Sequence, residues 1–116
     1  MNALIILNDP PYGTERSYNG LRMAKSLIKN DPALELTVFL MADAVGCARS
    51  GQQTPSGFYN IELMLKSVLR QQRVLLCGTC MDARGLKEED IIKGAIRSDM
   101  DTLANATISA DKVLVF

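Results

Sequence analysis

The chain has 116 residues, 47% of them hydrophobic and 22% charged, with thirteen basic side chains set against thirteen acidic ones. That length fits one domain over residues 1–116, with a core large enough to need no disulfide staples. The charge balance leaves no electrostatic footprint for direct binding of nucleic acid or an anionic membrane. The lack of any His excludes Ser-His and Cys-His nucleophile pairs.

No apolar run approaches the roughly 20 residues of a membrane helix. Residues 1–8 are apolar but short, without the basic leader or cleavage site of a signal peptide. A cytoplasmic setting is expected, where three cysteines serve as free thiols, catalytic groups or metal ligands rather than as a disulfide framework.

In chain order, residues 3–7 form an apolar run that reads as a buried strand, closed by Asn8-Asp9-Pro10-Pro11-Tyr12-Gly13. Thr14 is placed to cap a helix to about residue 30, with Tyr18, Leu21, Ala24, Leu27 and Ile28 on its inner face. Residues 34–41 predict a second strand, and Asp43 a cap for a short helix through Ala44, Val45 and Ala48. The breaker-rich stretch 50–57 reads as a mobile loop.

Phe58, Ile61, Met64, Leu65, Val68 and Leu69 lay down another helical stripe, ending at Gln71-Gln72. Val74-Leu75-Leu76 predicts a third buried strand with Cys77 at its end, and 78–85 a turn-rich segment. Residues 86 to about 95 predict a helix with Glu88, Glu89 and Asp90 near its start, where the dipole favours acids. Ser98 and Asp101 have capping-box spacing for a helix carrying Leu103, Ala106 and Ile108, and 112–116 closes the chain as a strand. Near-continuous apolar strands alternating with helices predict an α/β fold, a mostly parallel sheet covered on both faces.

Cys77-Gly78-Thr79-Cys80 is the sharpest chemical feature. In open α/β sheets reactive groups collect beyond the carboxyl ends of strands, and Gly78 allows the backbone to turn there. Backbone N–H groups in the turn, or a cation such as Arg84, would lower the Cys77 pKa, whereas Asp82 would raise it if aimed at the sulfur. Set against a purely structural role for the pair, three functional readings compete. A zinc site is short of ligands, with Cys47 the one further Cys. A thioredoxin-like redox pair would want a helix after Cys77, and Met81-Asp82-Ala83-Arg84-Gly85 is a poor continuation for one. A sulfur carrier would hold a terminal sulfur on Cys77, with Cys80 releasing it through a disulfide or standing by. Asp9, Tyr12 and Asp43 fall on the same rim as pocket candidates beside Arg84, although each fits a plain connecting segment too; no metal or organic cofactor is implied.

The run Cys77-Gly78-Thr79-Cys80-Met81-Asp82-Ala83-Arg84-Gly85 resembles the cysteine segment of the DsrE/DsrF-like sulfur-relay proteins, in their short single-domain branch. The likeness extends through Pro11-Tyr12-Gly13, Phe39-Leu40-Met41, Asp43-Ala44-Val45, Gly57, Tyr59-Asn60, Met64-Leu65 and the closing stretch 109–114. The resemblance implies a three-layer α/β/α sandwich around a mostly parallel five-stranded sheet, assembled as a homotrimer or homohexamer. It also implies that Cys77 carries persulfide sulfur between donor and acceptor proteins. Cys80 departs from the pattern, since the relay proteins generally use one thiol here, which keeps a redox role open.

Overall fold

In the computed structural model, which describes residues 1–116, five strands form one parallel sheet. They are β1 (Asn2–Leu7), β2 (Glu35–Leu40), β3 (Arg73–Cys77), β4 (Ile96–Ser98) and β5 (Lys112–Val115), in the spatial order β4-β3-β2-β1-β5. The central strands are apolar on both sides because both faces are covered: Leu4, Ile5, Leu7, Val38, Phe39, Leu40 and Leu76 are sealed from solvent. Register pairs Ile5 with Val38 and Leu114, Phe39 with Leu75, and Cys77 with Ser98.

The helices are α1 (Arg16–Asn30), α2 (Ile61–Leu69), α3 (Gly78–Ala83) and α4 (Met100–Ser109). From β1 to β4 the chain steps one way across the sheet, so right-handed crossovers put α1, α2 and α3 on one face. The step from β4 back to β5 puts α4 on the other. That second face is thinly covered, with Leu103 the one buried residue of α4.

Helix α1 buries Ser17, Gly20, Leu21 and Ala24, a helical stripe of mostly small residues that lets it sit close on β1. Thr14 does not cap it. Its hydroxyl donates to Asp9 Oδ2 at 2.7 Å, and the cap position falls on Glu15 without a side-chain bond. Asp43 likewise lies inside the first turn of a 3₁₀ segment, Ala42–Ala48, capped by neither side chain.

The loop over 50–57 is pinned rather than free, because Gln52 is a hydrogen-bond hub. Its amide donates to the carbonyls of Cys47 and Arg49, its backbone N–H to Glu62, and its Oε1 accepts from the Tyr12 hydroxyl at 2.6 Å. Helix α2 starts after Asn60, whose side chain accepts from Leu63 N, which leaves Phe58 outside the helix and exposed.

Three expectations fail between β3 and α4. Residues 78–83 are helical rather than turn-rich. Gly85 (φ +63°) ends α3 through paired bonds, Leu86 N–H to Met81 O and Gly85 N–H to Asp82 O, which satisfy its last carbonyls. Residues 86–95 hold one short 3₁₀ turn, Glu88–Asp90, instead of a helix. Their backbone groups pair across with the segment after the first 3₁₀ turn, through Ile92 N–H to Ala48 O and Ser50 N–H to Asp90 O. Finally, Asp99 caps α4 by accepting from Thr102 N–H at 2.8 Å, and Ser98 belongs to a fifth strand unseen in the sequence.

Gly20 decides how closely α1 approaches β1. A Cβ there would collide with Leu7 and come within 3.3 Å of Phe116. In an ordinary helix Gly→Ala gains about 1 kcal/mol. Leu7 is sealed and cannot swing away, so overpacking of about 1–3 kcal/mol outweighs that gain. Gly20→Ala is expected to lower the urea midpoint; a raised midpoint would contradict the close approach.

Candidate functional site

Strand β3 ends at Cys77 and α3 begins at Gly78, with no loop residue between them. Cys77 keeps extended dihedrals (φ −60°, ψ 116°) while occupying the N-cap position. The first N–H groups of a helix lack partners within it, and Cys77 stands at that end of α3, where a thiolate on its sulfur is favoured. The Thr79 hydroxyl lies 3.2 Å from the same sulfur.

Burial, with 5% of Cys77 exposed, would by itself raise its pKa. The polar groups of Cys80 and Thr79 beside it outweigh burial and hold the Cys77 thiol below its ordinary value. Cys80 moves the opposite way. Burial raises it, and so does its own bond to Cys77, against smaller opposing effects from Ala42 N–H, 3.2 Å from its sulfur, and from Arg84. Cys77 is therefore the thiol that ionises first, and Cys80 the proton donor beside it. Ala42 is the one non-glycine residue with positive φ (+52°), a conformation that costs of order 1 kcal/mol or more.

The Cys77 sulfur borders a cavity of about 410 Å³ between the ends of β3 and β4. Thr79 lines one side, Arg97, Ser98 and Met100 the other, with Glu88 at the margin. Arg97 lies flat against Gly78: a Cβ there would stand 2.8 Å from Nε and 2.9 Å from Cζ. Its Nη1 and Nη2 donate to the two carboxylate oxygens of Asp82, each at 2.8 Å, so Asp82 is turned toward the guanidinium and not the thiol. Two further hollows contain no cysteine, one of about 320 Å³ at the amino ends of β1 to β3 and one of about 630 Å³ between α1 and α2.

Of the candidate site residues singled out in the sequence, Cys77 lines the cavity, and Cys80, Asp9, Tyr12, Asp43 and Arg84 do not. Arg84 donates to Asp43 from Nε at 2.9 Å and to the Cys80 carbonyl at 3.1 Å, tying α3 to the 3₁₀ segment from outside. Asp9 holds the β1–α1 connection through Thr14 and Arg16. Tyr12 bonds Gln52 and accepts from Ile61 N–H, two strands away from the thiol. Cys47 is sealed in the core and its thiol is pushed up to about 12, chiefly by burial. Arg97 and Ser98, which line the cavity with Cys77, were missed. The signal for them was Gly94 (φ +97°) as a break just before Ala95-Ile96. No three Cys, Asp or Glu side chains converge as a metal-holding group.

Removing a donor to the Cys77 thiolate destabilises the ionised form and raises its pKa. In Cys80→Ala and in Thr79→Val, the pH midpoint for Cys77 alkylation, followed by peptide mass mapping, should move up and the rate at neutral pH should fall several-fold. Unchanged profiles would mean that these groups do not reach the sulfur. Gly78→Ala should displace Arg97 and break its pair with Asp82, which a crystal structure of the variant would reveal.

The comparisons with known proteins agree over the whole length. The family model for DsrE/DsrF-like proteins matches residues 1–116. The YchN protein of Escherichia coli K12 is 42% identical over 114 residues, covering 97% of each chain. MJ0989 of Methanocaldococcus jannaschii is 36% identical over 117 residues and covers all of both. The crystal structure of Escherichia coli YchN superposes with a TM-score of 0.94 at 41% identity, over 99% of this chain and 98% of that one. MTH1491 of Methanobacterium thermoautotrophicum has the same fold at 12% identity, with a TM-score of 0.79 over 99% and 97% of the two chains. The five-stranded parallel sheet, the strand-end cysteine pair and this similarity along all 116 residues make the chain a member of the DsrE/DsrF-like family.

Proposed function

We infer that the protein is a single-domain sulfur carrier that accepts persulfide sulfur on Cys77, without metal or organic cofactor. The observation that carries this reading is a strand-end cysteine that lines a cavity at the start of a helix, with the Thr79 hydroxyl 3.2 Å from its sulfur. A thiolate is the nucleophile in sulfur transfer. Cys77 thiolate attacks the terminal sulfur of a donor persulfide, the Cys77 S–S bond forms, and the donor's own S–S bond breaks. The donor leaves as a thiolate and takes up a proton from solvent, with no net oxidation. The same donors that favour the Cys77 thiolate would then favour the terminal anion of its persulfide. Three free thiols suit a reducing cytoplasm, and no helix is long and apolar enough to cross a membrane.

Intact mass after exposure to a small-molecule persulfide should show one added sulfur atom. Cys77→Ser should abolish the addition and Cys80→Ala should retain it; loading of Cys77→Ser equal to the wild type would refute the assignment.

A second reading gains support from α3, the helix the sequence did not foretell. A thiol at a helix start, with a second thiol one turn on, suits reversible thiol–disulfide exchange. It requires a Cys77–Cys80 disulfide, seen as the loss of two hydrogens under mild oxidation. Full retention of a thiol–disulfide activity in Cys80→Ala would eliminate it.

Self-association as a homotrimer or homohexamer is supported by the thinly covered sheet face. Ile108 is 82% exposed, Val115 63% and Met100 58%, all on α4 or β5. Several exposed apolar residues on neighbouring elements mark an interaction surface. Light scattering at micromolar concentration is expected to give a multiple of the 12.7 kDa chain, and Ile108→Asp a smaller one; a wild-type monomer would overturn the assembly.

A further inference from the structure

The largest cleft is remote from the cysteines and takes no part in sulfur chemistry. It runs between α1 and α2 on the outer surface, with a volume of about 630 Å³. One wall is apolar and open to solvent: Phe58 is 69% exposed, Leu63 62%, and Met64 lies half-buried beside them. The opposite wall carries Arg22, Lys25 and Lys29, spaced three and four residues apart and so in one row along α1.

The charge of that row is not neutralised within the chain. Residues 16–30 contain four cations and no acid, although the protein as a whole is neutral. The four ion pairs of the structure are Arg16–Asp9, Lys66–Glu62, Arg84–Asp43 and Arg97–Asp82, none of which involves the row. Arg22 is steadied over the Tyr18 ring, 5.4 Å from its centroid, and by Asn19 Oδ1 at 3.0 Å. One acid near the cleft, Glu62, is turned to Lys66 and the Gln52 N–H, and another, Glu15, to the Tyr59 hydroxyl.

The upper end of the cleft is rigid. Tyr12, Tyr59 and Tyr18, all the tyrosines of the chain, stack in series with centroids 5.6 and 4.2 Å apart. Their faces are taken up by one another and by Arg22, which leaves little ring surface for a flat aromatic ligand. From Tyr18 to Lys29 the cleft spans roughly 16 Å, about three helical turns.

We propose that this cleft is a docking groove for an acidic amphipathic helix of a partner protein, whose apolar stripe lies on Phe58, Leu63 and Met64 while flanking Asp and Glu side chains meet Arg22, Lys25 and Lys29. An apolar trough with a cationic rim is complementary to such a helix in both respects. The concave shape favours an inserted segment over a flat membrane. The inference stands independently of what Cys77 does.

The test uses the full-length protein and a fluorescein-labelled synthetic helix of about 14 residues, with Leu at helical spacing and Glu elsewhere, against a counterpart with Lys in place of Glu. The Glu peptide is expected to bind at least about tenfold more tightly than the Lys peptide, and to weaken as salt is raised. Lys25→Glu with Lys29→Glu should reverse the preference, and Leu63→Ser should weaken both peptides. Unchanged melting and Cys77 alkylation show that these variants remain folded. Equal binding of the two peptides, or indifference to the Lys25 and Lys29 reversals, would overturn the proposal. Binding of phosphatidylserine vesicles but not of peptide would overturn it too, as would a smaller oligomer in the double variant, which would make the groove an interface between copies.

Discussion

Cys77 is at once the last residue of a strand and the first position before a helix, and the local structure depends on that shared role. Strand pairing fixes it opposite Ser98, while helix geometry sets it at the end of α3 where the backbone N–H groups are unpartnered. Neither element could shift by a residue without losing one of these. Met81, sealed in the core, anchors the far side of α3, and the bonds closing at Gly85 stop the helix after six residues. Arg97, lying on Gly78 and tied to Asp82, fastens α3 to β4 from the solvent side. A helix this short has little stability of its own. Its contacts at both ends hold it, so the environment of the thiol is a product of tertiary packing.

What was legible in the sequence follows from burial. Strands β1, β2 and β3 are central, so both faces select apolar residues and the runs stand out. Helix α1 shows its inner face because one side of it meets the sheet and the other meets water. Strand β4 did not show, since it is three residues long, lies at the sheet edge, and carries Arg97 in its middle. The acids at 88–90 suggested a helix start, but Gly94 and backbone bonds across to residues 48 and 50 of the same chain settle that segment differently. The brevity of α3 hid it for a related reason: a stretch of six residues offers barely two turns of periodicity.

The cysteine pair was legible from its spacing, whereas its surroundings were not. The rule that sites gather beyond the carboxyl ends of strands holds for Cys77. It did not discriminate along that rim: Asp9 and Tyr12 follow β1, and β2 stands between β1 and β3. Strand order, which no local pattern reveals, decided that Arg97 rather than Tyr12 faces the cavity. The chain reverses direction across the sheet between β1 and β5, so the cavity at β3 and β4 is not at the topological switch point either.

The MTH1491 comparison separates what the fold requires from what the chemistry requires. At 12% identity the architecture persists, so a parallel sheet of this order is specified by where apolar residues fall and says little about the reaction. Functional weight has to rest on features that the fold does not demand. A sealed, unreactive thiol would serve the core as well, and Cys47, pushed up to about 12 by burial, is such a thiol in the same chain. Cys77 lines the cavity instead, and its pKa moves the other way under the polar groups of Cys80 and Thr79. With 5% of Cys77 exposed, access is narrow, so a slender terminal sulfur entering between β3 and β4 fits the site better than a bulky electrophile. A lowered pKa and a place on the cavity wall together distinguish Cys77 from Cys47, which merely fills space.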